Sequence, residues 1–344
     1  MYILIAILVF GFLIFIHELG HFLTARMFGV KVNEFSLGMG PKLITYTSKK
    51  SGTTYALSMF PIGGYVSMEG EDGESDHPDS FRSKAAWKRF IIVSAGAVMN
   101  LLCGILAMLL LVLNTNLGST VIYDFVPTEQ SGYTVSSEDS GLMAGDEILK
   151  IGDTRVHILT ELNYEIMRNG VEPIEVVVLR DGVERTLTVT FPTEENEGEV
   201  FGATDFRVYG EEKTFTSVIK HAFFYSISTL KMIWESFFDL LTGRYGISSI
   251  SGPVGAAAVV SEAAKVSVLH LLYLFGIISM NLGLFNLFPI PALDGGRLVF
   301  LLIELIFRKP VPEKYEGWVH FAGILVLFGF MILITIKDIV SLIM

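Results

Sequence analysis

Apolar residues run almost unbroken through three stretches of the chain, roughly residues 2–28, 90–113 and 318–336. Each is long enough for a helix of about 20 residues to cross the hydrocarbon core of a bilayer. A fourth stretch, roughly 268–306, is equally apolar but is broken by NLFPIPALDGGR and is too long for one simple span. Prolines end helices and glycines let backbone approach closely, so the break predicts a discontinuous segment lining a polar site.

Between the first two stretches the period changes. VNEFSLGMGPKLITYTSKKSGTTYALSMFPIGGYV alternates apolar and polar positions. That pattern predicts short β-strands with a hairpin tip at KKSG. The acidic EGEDGESDHPDS that follows reads as a mobile loop. Beyond the second stretch come SGLMAGDEILKIGDTRV, a helical ILTELNYEIMRNG, and IEVVVLRDGVERTLTVTF. The last piece gives two alternating strands around Asp181-Gly182, so a compact α+β unit is predicted. Its GL-x-AGD-x-I-x-x-I sequence resembles a PDZ domain, a module that takes extended peptides on a sheet edge. An unrelated small α+β domain is the alternative.

Residues 214–242 place Ile219, Phe223, Ile227, Leu230, Trp234, Phe237 and Leu241 at helical spacing. Lys220, His221, Lys231, Glu235 and Asp239 argue against a fifth span. The stripe predicts a helix lying on a membrane surface or packing on a neighbour, with His221 on its polar face and not a ligand.

Composition agrees with a membrane protein. Of 344 residues, 51% are hydrophobic and 18% charged, against about 25% charged in ordinary soluble domains. The first apolar stretch has no basic n-region and no small-residue cleavage site after it, so it reads as a retained span. Basic residues cluster between Arg26 and Arg89 and again at Arg308, Lys309 and Lys314. Placing both clusters in the cytoplasm puts the two termini and the acidic segment outside. That segment, Asn116 to Phe215, holds 20 Asp and Glu against 7 Lys and Arg, a balance of −13, which excludes a general binder of polyanions. No nucleic-acid partner is expected. The one cysteine, Cys103, allows no intrachain disulfide and reads as a small core residue.

The chemistry is concentrated in HELGH, residues 17–21. On a helix, His17 and His21 share a face and can grip one ion, and neutral imidazoles suit zinc. Glu18 lies about a third of a turn away, where it can accept a proton from a metal-activated water without ligating the metal. Ionisable residues within a membrane span are functional by default, although pairing inside a helix bundle is the plainer reading. A catalytic zinc wants a third protein ligand and an open position. Asp294 is the only carboxylate between Glu262 and Glu304, and it sits beside Gly295 and Gly296, just after Pro289 and Pro291. A turn aspartate before Gly-Gly is the alternative there. His17 lies about 15 residues, roughly 22 Å, from the outer end of its span, and Asp294 comes late in a span running inward. Both are therefore expected near the cytoplasmic third of the membrane.

HELGH in a first span, NLFPIPALDGG in a later one and a PDZ-like insertion between them resemble the site-2 proteases of the bacterial RseP/RasP type. FSLGMGP, FPIGGYV and SGPVG are similar to the family's membrane-associated β-loop and to the region after its PDZ domain. The resemblance implies a polytopic α-helical membrane protein with about four transmembrane helices, a cytoplasmic membrane-associated β-loop and an inserted extracytoplasmic α+β PDZ-like domain. The expected divisions are a first transmembrane helix at 1–30, the β-loop region and acidic loop at 31–87 and a second transmembrane helix at 88–115. Then follow the PDZ-like domain at 116–210, an amphipathic region at 211–266, the discontinuous segment at 267–308 and the fourth transmembrane helix at 309–344. The same resemblance implies Zn2+ held by His17, His21 and Asp294, with Glu18 as the base.

Asn281 and Asn286 match family asparagines that hold the substrate backbone; hydrogen bonding between helices is the alternative for each. Gly63 and Gly64 in FPIGGYV are expected to present an edge strand to the same substrate, against the reading of a plain turn. The implied activity is an intramembrane endopeptidase that cuts single-span proteins, such as anti-sigma factors or remnant signal peptides, near the cytoplasmic face after an outer-side cut. Lipid bilayer, these substrates and a peptide or protein ligand of the PDZ-like module are the expected partners. Room for a single such module, acting as a size or end filter, points to a Gram-positive type of bacterial cell membrane protein. A non-catalytic membrane PDZ scaffold with a structural metal would have no need of Glu18. A transporter is disfavoured by four spans and no visible inverted repeat.

Overall fold

The computed structural model describes residues 2–71, 73, 75–127, 132–196, 198–244 and 250–343. The chain forms two compact units, one of Met1–Ala107 with Met232–Met344 and the other of Met108–Lys231. Among the described residues, four helices are long and apolar enough to cross a membrane: Tyr2–Met27, Ala86–Asn114, Val268–Leu287 and Lys314–Val340. Phe215–Thr242 is a 28-residue helix and is not among them.

The first unit opens with α1 (Tyr2–Met27), which presents Ile3, Leu4, Leu8 and Phe12 outward and buries Leu13, His21, Phe22 and Ala25. Gly29 ends it with a positive φ of 69°, a conformation glycine adopts without strain. Two long strands follow, β1 (Val32–Thr47) and β2 (Thr54–Met68). Lys42–Thr47 faces Ser58–Thr54 across the expected hairpin, while Glu34–Leu37 faces both 54–57 and Ser67–Gly64. Residues 64–67 thus run along the outside of this sheet, next to α1. Asp72 and Glu74, in the acidic stretch expected to be a mobile loop, lie outside the described residues. Around them the chain is tied down: Glu69 accepts hydrogen bonds from Lys31, Asn33 and Ser75.

Next comes α2 (Ala86–Asn114). Phe22, Ala25, Val32, Met68, Ile92, Leu298 and Leu301 form one apolar core that gathers α1, β1, β2, α2 and the helix starting at Asp294.

The second unit contains β3 (Leu117–Phe125), β4 (Glu147–Ile151), β5 (Thr154–Arg155), α3 (Leu159–Asn169), β6 (Ile174–Arg180) and β7 (Val183–Val189). A small hairpin of β8 (Thr193–Asn196) and β9 (Glu199–Gly202) precedes β10 (Phe206–Glu211). The main sheet runs β10-β3-β4-β6-β7, with β5 paired to β4. The β6–β7 turn is at Asp181 and Gly182, with φ of 53° and 76°, the two positive values that a two-residue hairpin of this type demands. Ile122, Leu142, Ile148, Leu162, Ile166, Val176 and Val178 fill the core between sheet and α3.

Helix α4 (Phe215–Thr242) differs from expectation in one respect. His221 is buried, 5% exposed, and its Nε2 lies 2.9 Å from a Glu211 carboxylate oxygen. It therefore belongs to the packed face and not to the outer polar face, because Glu211 at the end of β10 supplies a partner that spacing alone does not reveal. The apolar stripe Ile219, Phe223, Ile227, Trp234 and Leu241 is exposed, as suits a helix lying on a surface. Residues 245–249, part of the amphipathic region, lie outside the described residues. The chain continues as α5 (Pro253–Val266), α6 (Val268–Leu287), α7 (Asp294–Phe307) and α8 (Glu313–Ile343).

Candidate metal centre

Two glycines bring α1 and α2 together at HELGH. A Cβ on Gly20 would lie 2.4 Å from the carbonyl oxygen of Ala95, and one on Gly96 would lie 2.4 Å from His21 Nε2 and 2.8 Å from His17 Cε1. Only hydrogen at both positions permits this approach, and it exposes the imidazoles to the backbone of α2. His21 Nδ1 lies 2.8 Å from the carbonyl oxygen of Ile92. A carbonyl accepts only, so the proton sits on Nδ1 and the Nε2 lone pair faces the centre.

Asp294 arrives from the break between α6 and α7. The chain leaves α6 at Phe288, passes Pro289 and Pro291, and adopts a positive φ of 80° at Ala292 before Asp294 begins α7. A Cβ on Gly295 would overlap the Phe288 carbonyl oxygen at 1.8 Å, and one on Gly296 would meet that of Ile290 at 2.8 Å. The two glycines let α7 nest against the broken segment. Holding a non-glycine residue at positive φ costs on the order of 1–3 kcal/mol, a kind of strain that gathers at functional sites.

His17 Nε2, His21 Nε2 and Asp294 Oδ2 form a nearly equilateral triangle, with separations of 3.2 Å between the imidazoles and 3.1 and 3.2 Å to the carboxylate. Donors about 2.0 Å from one tetrahedral zinc stand roughly 3.3 Å apart. Asp294 Oδ2 is buried and has no hydrogen-bond partner, as befits an oxygen aimed at a cation. The donor set of two imidazoles and a carboxylate, with one side open to a cavity, fits zinc. It is the one such cluster among the described residues.

Glu18 lines a cavity of about 610 Å³ together with His17, His21 and Asp294. Gly64 of β2 packs directly beside it: a Cβ there would lie 3.2 Å from Glu18 Cγ. Gly63 adopts a positive φ of 89° and faces Met39, away from Glu18. Tyr65 also lines the cavity, and its hydroxyl donates to Glu34 at 2.7 Å, which pushes the phenol above its ordinary pKa and keeps it neutral. Asn281 is exposed, whereas Asn286 is 9% exposed and donates to the Leu282 carbonyl oxygen at 2.9 Å. Neither lines the metal cavity.

Sequence reasoning missed Asn100, which is fully buried on α2. Its Nδ2 lies 3.3 Å from His17 Nδ1, and its Oδ1 is buried without a partner. Rotating the amide by half a turn is sterically neutral and gives Oδ1 the Nδ1 proton of His17 to accept. Both imidazoles then carry their proton on Nδ1 and turn Nε2 inward. Gly96 and Asn100, four residues apart on one face, were the available signal, hidden in an otherwise uniform apolar run.

A profile of peptidase family M50 matches residues 5–330. A protein of Fusobacterium nucleatum named as a zinc metalloprotease is 34% identical over 337 residues, covering 98% of each chain. The zinc metalloprotease RasP of Geobacillus kaustophilus is 28% identical, with 97% of this chain and 96% of that one covered. The regulator of sigma-W protease RasP of Bacillus subtilis is 27% identical over 97% of both. With the donor triangle set among helices long and apolar enough to cross a membrane, these likenesses lead to one conclusion: the chain belongs to peptidase family M50 and is an intramembrane zinc metalloprotease of the site-2 type.

Proposed function

We propose that His17, His21 and Asp294 ligate the zinc, that Glu18 is the general base, and that the bond cut lies in a membrane-spanning segment of a single-span protein. The observation that carries this reading is the triangle of Nε2, Nε2 and Oδ2 with 3.1–3.2 Å sides. Held there, zinc would supply Lewis acidity, lowering the pKa of water and polarising the scissile carbonyl. Glu18 takes the proton of that water and passes it to the departing amine. Ile92 and Asn100 fix the imidazole tautomers, a kind of support whose loss weakens metal binding by about 10–100-fold.

A membrane-spanning helix hides its peptide groups in its own hydrogen bonds, so it must be unwound before water can attack. Residues 64–67 offer a strand edge beside Glu18, and an extended substrate adds to such an edge through main-chain hydrogen bonds. Gly64 is the glycine of the pair that serves this role best, since it lies against Glu18; Gly63 shapes the turn leading to it. Asn281 and Asn286 remain the proposed holders of substrate backbone by resemblance: Asn281 is exposed, and Asn286 would have to release the Leu282 carbonyl first.

The substrates we propose are anti-sigma factors and remnant signal peptides, in keeping with the sigma-W regulator among the relatives. The basic clusters at 26–89 and 308–314 support a cytoplasmic side for the active site and an outer side for the termini and the second unit. The sheet order with one packed helix, together with the GL-x-AGD sequence, supports a single PDZ-like module that filters substrates by size or by their trimmed end.

The test is Glu18→Gln, with zinc content and cleavage of a single-span substrate in detergent measured on one preparation. Full zinc with cleavage reduced by about 10²–10⁴-fold supports the assignment. Unchanged cleavage removes Glu18 from the mechanism.

A further inference from the structure

The cavity beside the donor triangle extends to a set of charges that zinc chemistry does not use. Its lining includes Glu69, Glu71 and Arg297 as well as Glu18 and Asp294. Arg297 follows Asp294 by three residues on α7, so both side chains lie on one face of that helix. It is the single lysine or arginine among the described lining residues, facing four carboxylates. Its Nη1 is ion-paired with Glu71 Oε1, and the two side chains are 30% and 14% exposed. Drawing a charged pair out of water carries a desolvation penalty that an exposed loop tether would avoid. A further reason for a guanidinium at this spot lies in the cavity that the pair borders.

Peptide hydrolysis supplies that reason. The water oxygen bonds to the acyl carbon, the C–N bond breaks, and the amine departs with the first water proton, carried by Glu18. The second proton passes from the acyl half to that amine, leaving a carboxylate and an ammonium on separate fragments. A neutral amide has become an anion in a chamber already lined by Glu18, Glu69, Glu71 and Asp294. A guanidinium matches a carboxylate through two parallel N–H bonds, which a single ammonium cannot do. We propose that Arg297 is the docking group for the carboxylate end of the cleaved peptide, and that Glu71 occupies the guanidinium until that carboxylate displaces it. This rests on the peptidase reading above and adds a binding subsite to it.

The experiment measures equilibrium binding of a fluorescent apolar peptide to the zinc-loaded full chain in detergent. The peptide is offered once with a free C-terminal carboxylate and once as the C-terminal amide. A peptide carboxylate can also meet the zinc directly in every zinc-loaded variant, so the quantity read is the change in the acid-to-amide affinity ratio between variants. In the wild type the acid binds more tightly, and Arg297→Gln lowers the ratio by about tenfold. Glu71→Gln raises it, because one resident competitor is gone. Should Arg297→Gln fail to load zinc, Arg297→Lys retains the charge but loses the fork, and the ratio drops in it as well. A ratio of one in the wild type, a ratio unchanged in both Arg297 variants, or a fall in Glu71→Gln overturns the proposal. Zinc content and cleavage of a single-span substrate by the wild type are recorded alongside. If those persist while the ratio does not respond, the subsite alone is refuted; if they are absent, the peptidase reading fails first.

Discussion

His21 of α1 is held through Nδ1 by the carbonyl oxygen of Ile92, 2.8 Å away on α2, while its Nε2 faces the space beside Gly96. The missing side chain at residue 96 is therefore part of the candidate metal centre. Gly96→Ala would place a carbon 2.4 Å from that nitrogen. Because the backbone of α2 cannot yield without losing Ile92, the imidazole must turn. Zinc affinity is expected to fall by about 10–100-fold, measured by competition with a chelator of known affinity. Val98→Ala, at an exposed position on the same helix, is the control and leaves affinity unchanged.

Asn100 supports the other imidazole. Asn100→Leu keeps the volume but removes the acceptor for His17 Nδ1–H, freeing the ring to adopt the wrong tautomer. Zinc affinity should drop by about tenfold in this variant, whereas Asn100→Asp, which retains an acceptor, should keep it near wild type. Equal losses in both variants would mean that Asn100 acts through packing.

Asp338 on α8 reaches a different helix end. It is 4% exposed, and its Oδ2 accepts from the Gly255 N–H at 2.8 Å in the first turn of α5. The residue before that turn is Gly252, which has no side chain to cap with. Asp338→Ala should cost about 1 kcal/mol of local stability, so amides at the start of α5 should exchange with solvent about fivefold faster. Hydrogen exchange read by mass spectrometry on peptides covering 253–260 checks this, with no change expected in peptides from β1. An unaltered rate at α5 would show that water replaces the cap.

The readable parts of the sequence were those whose physics is local. HELGH announces its donors because i and i+4 share a helix face, and Asp294 stands out as a lone carboxylate between glycines and prolines in an apolar run. Asp181-Gly182 marked its hairpin because few residue pairs tolerate two positive φ values. What stayed hidden depends on distant pairing. His221 is buried beside Glu211, a partner on the preceding strand that helix spacing does not reveal, whereas Arg297 meets Glu71 across 226 residues and Asn100 meets His17 across 83. The pairing of β10 with β3, the last strand of the second unit with its first, is of the same kind. Asn281 and Asn286 were singled out by resemblance, and neither lines the metal cavity.

X-ray absorption at the zinc edge of the purified full chain, wild type beside Asp294→Ala, reads the donor set of His17, His21 and Asp294 itself. One zinc per wild-type chain is expected, with two imidazole nitrogens and carboxylate oxygen in its nearest shell. In Asp294→Ala the metal is expected to be lost or its shell rearranged. A spectrum with sulfur ligation, or one identical in the two proteins at equal zinc content, would contradict that donor set.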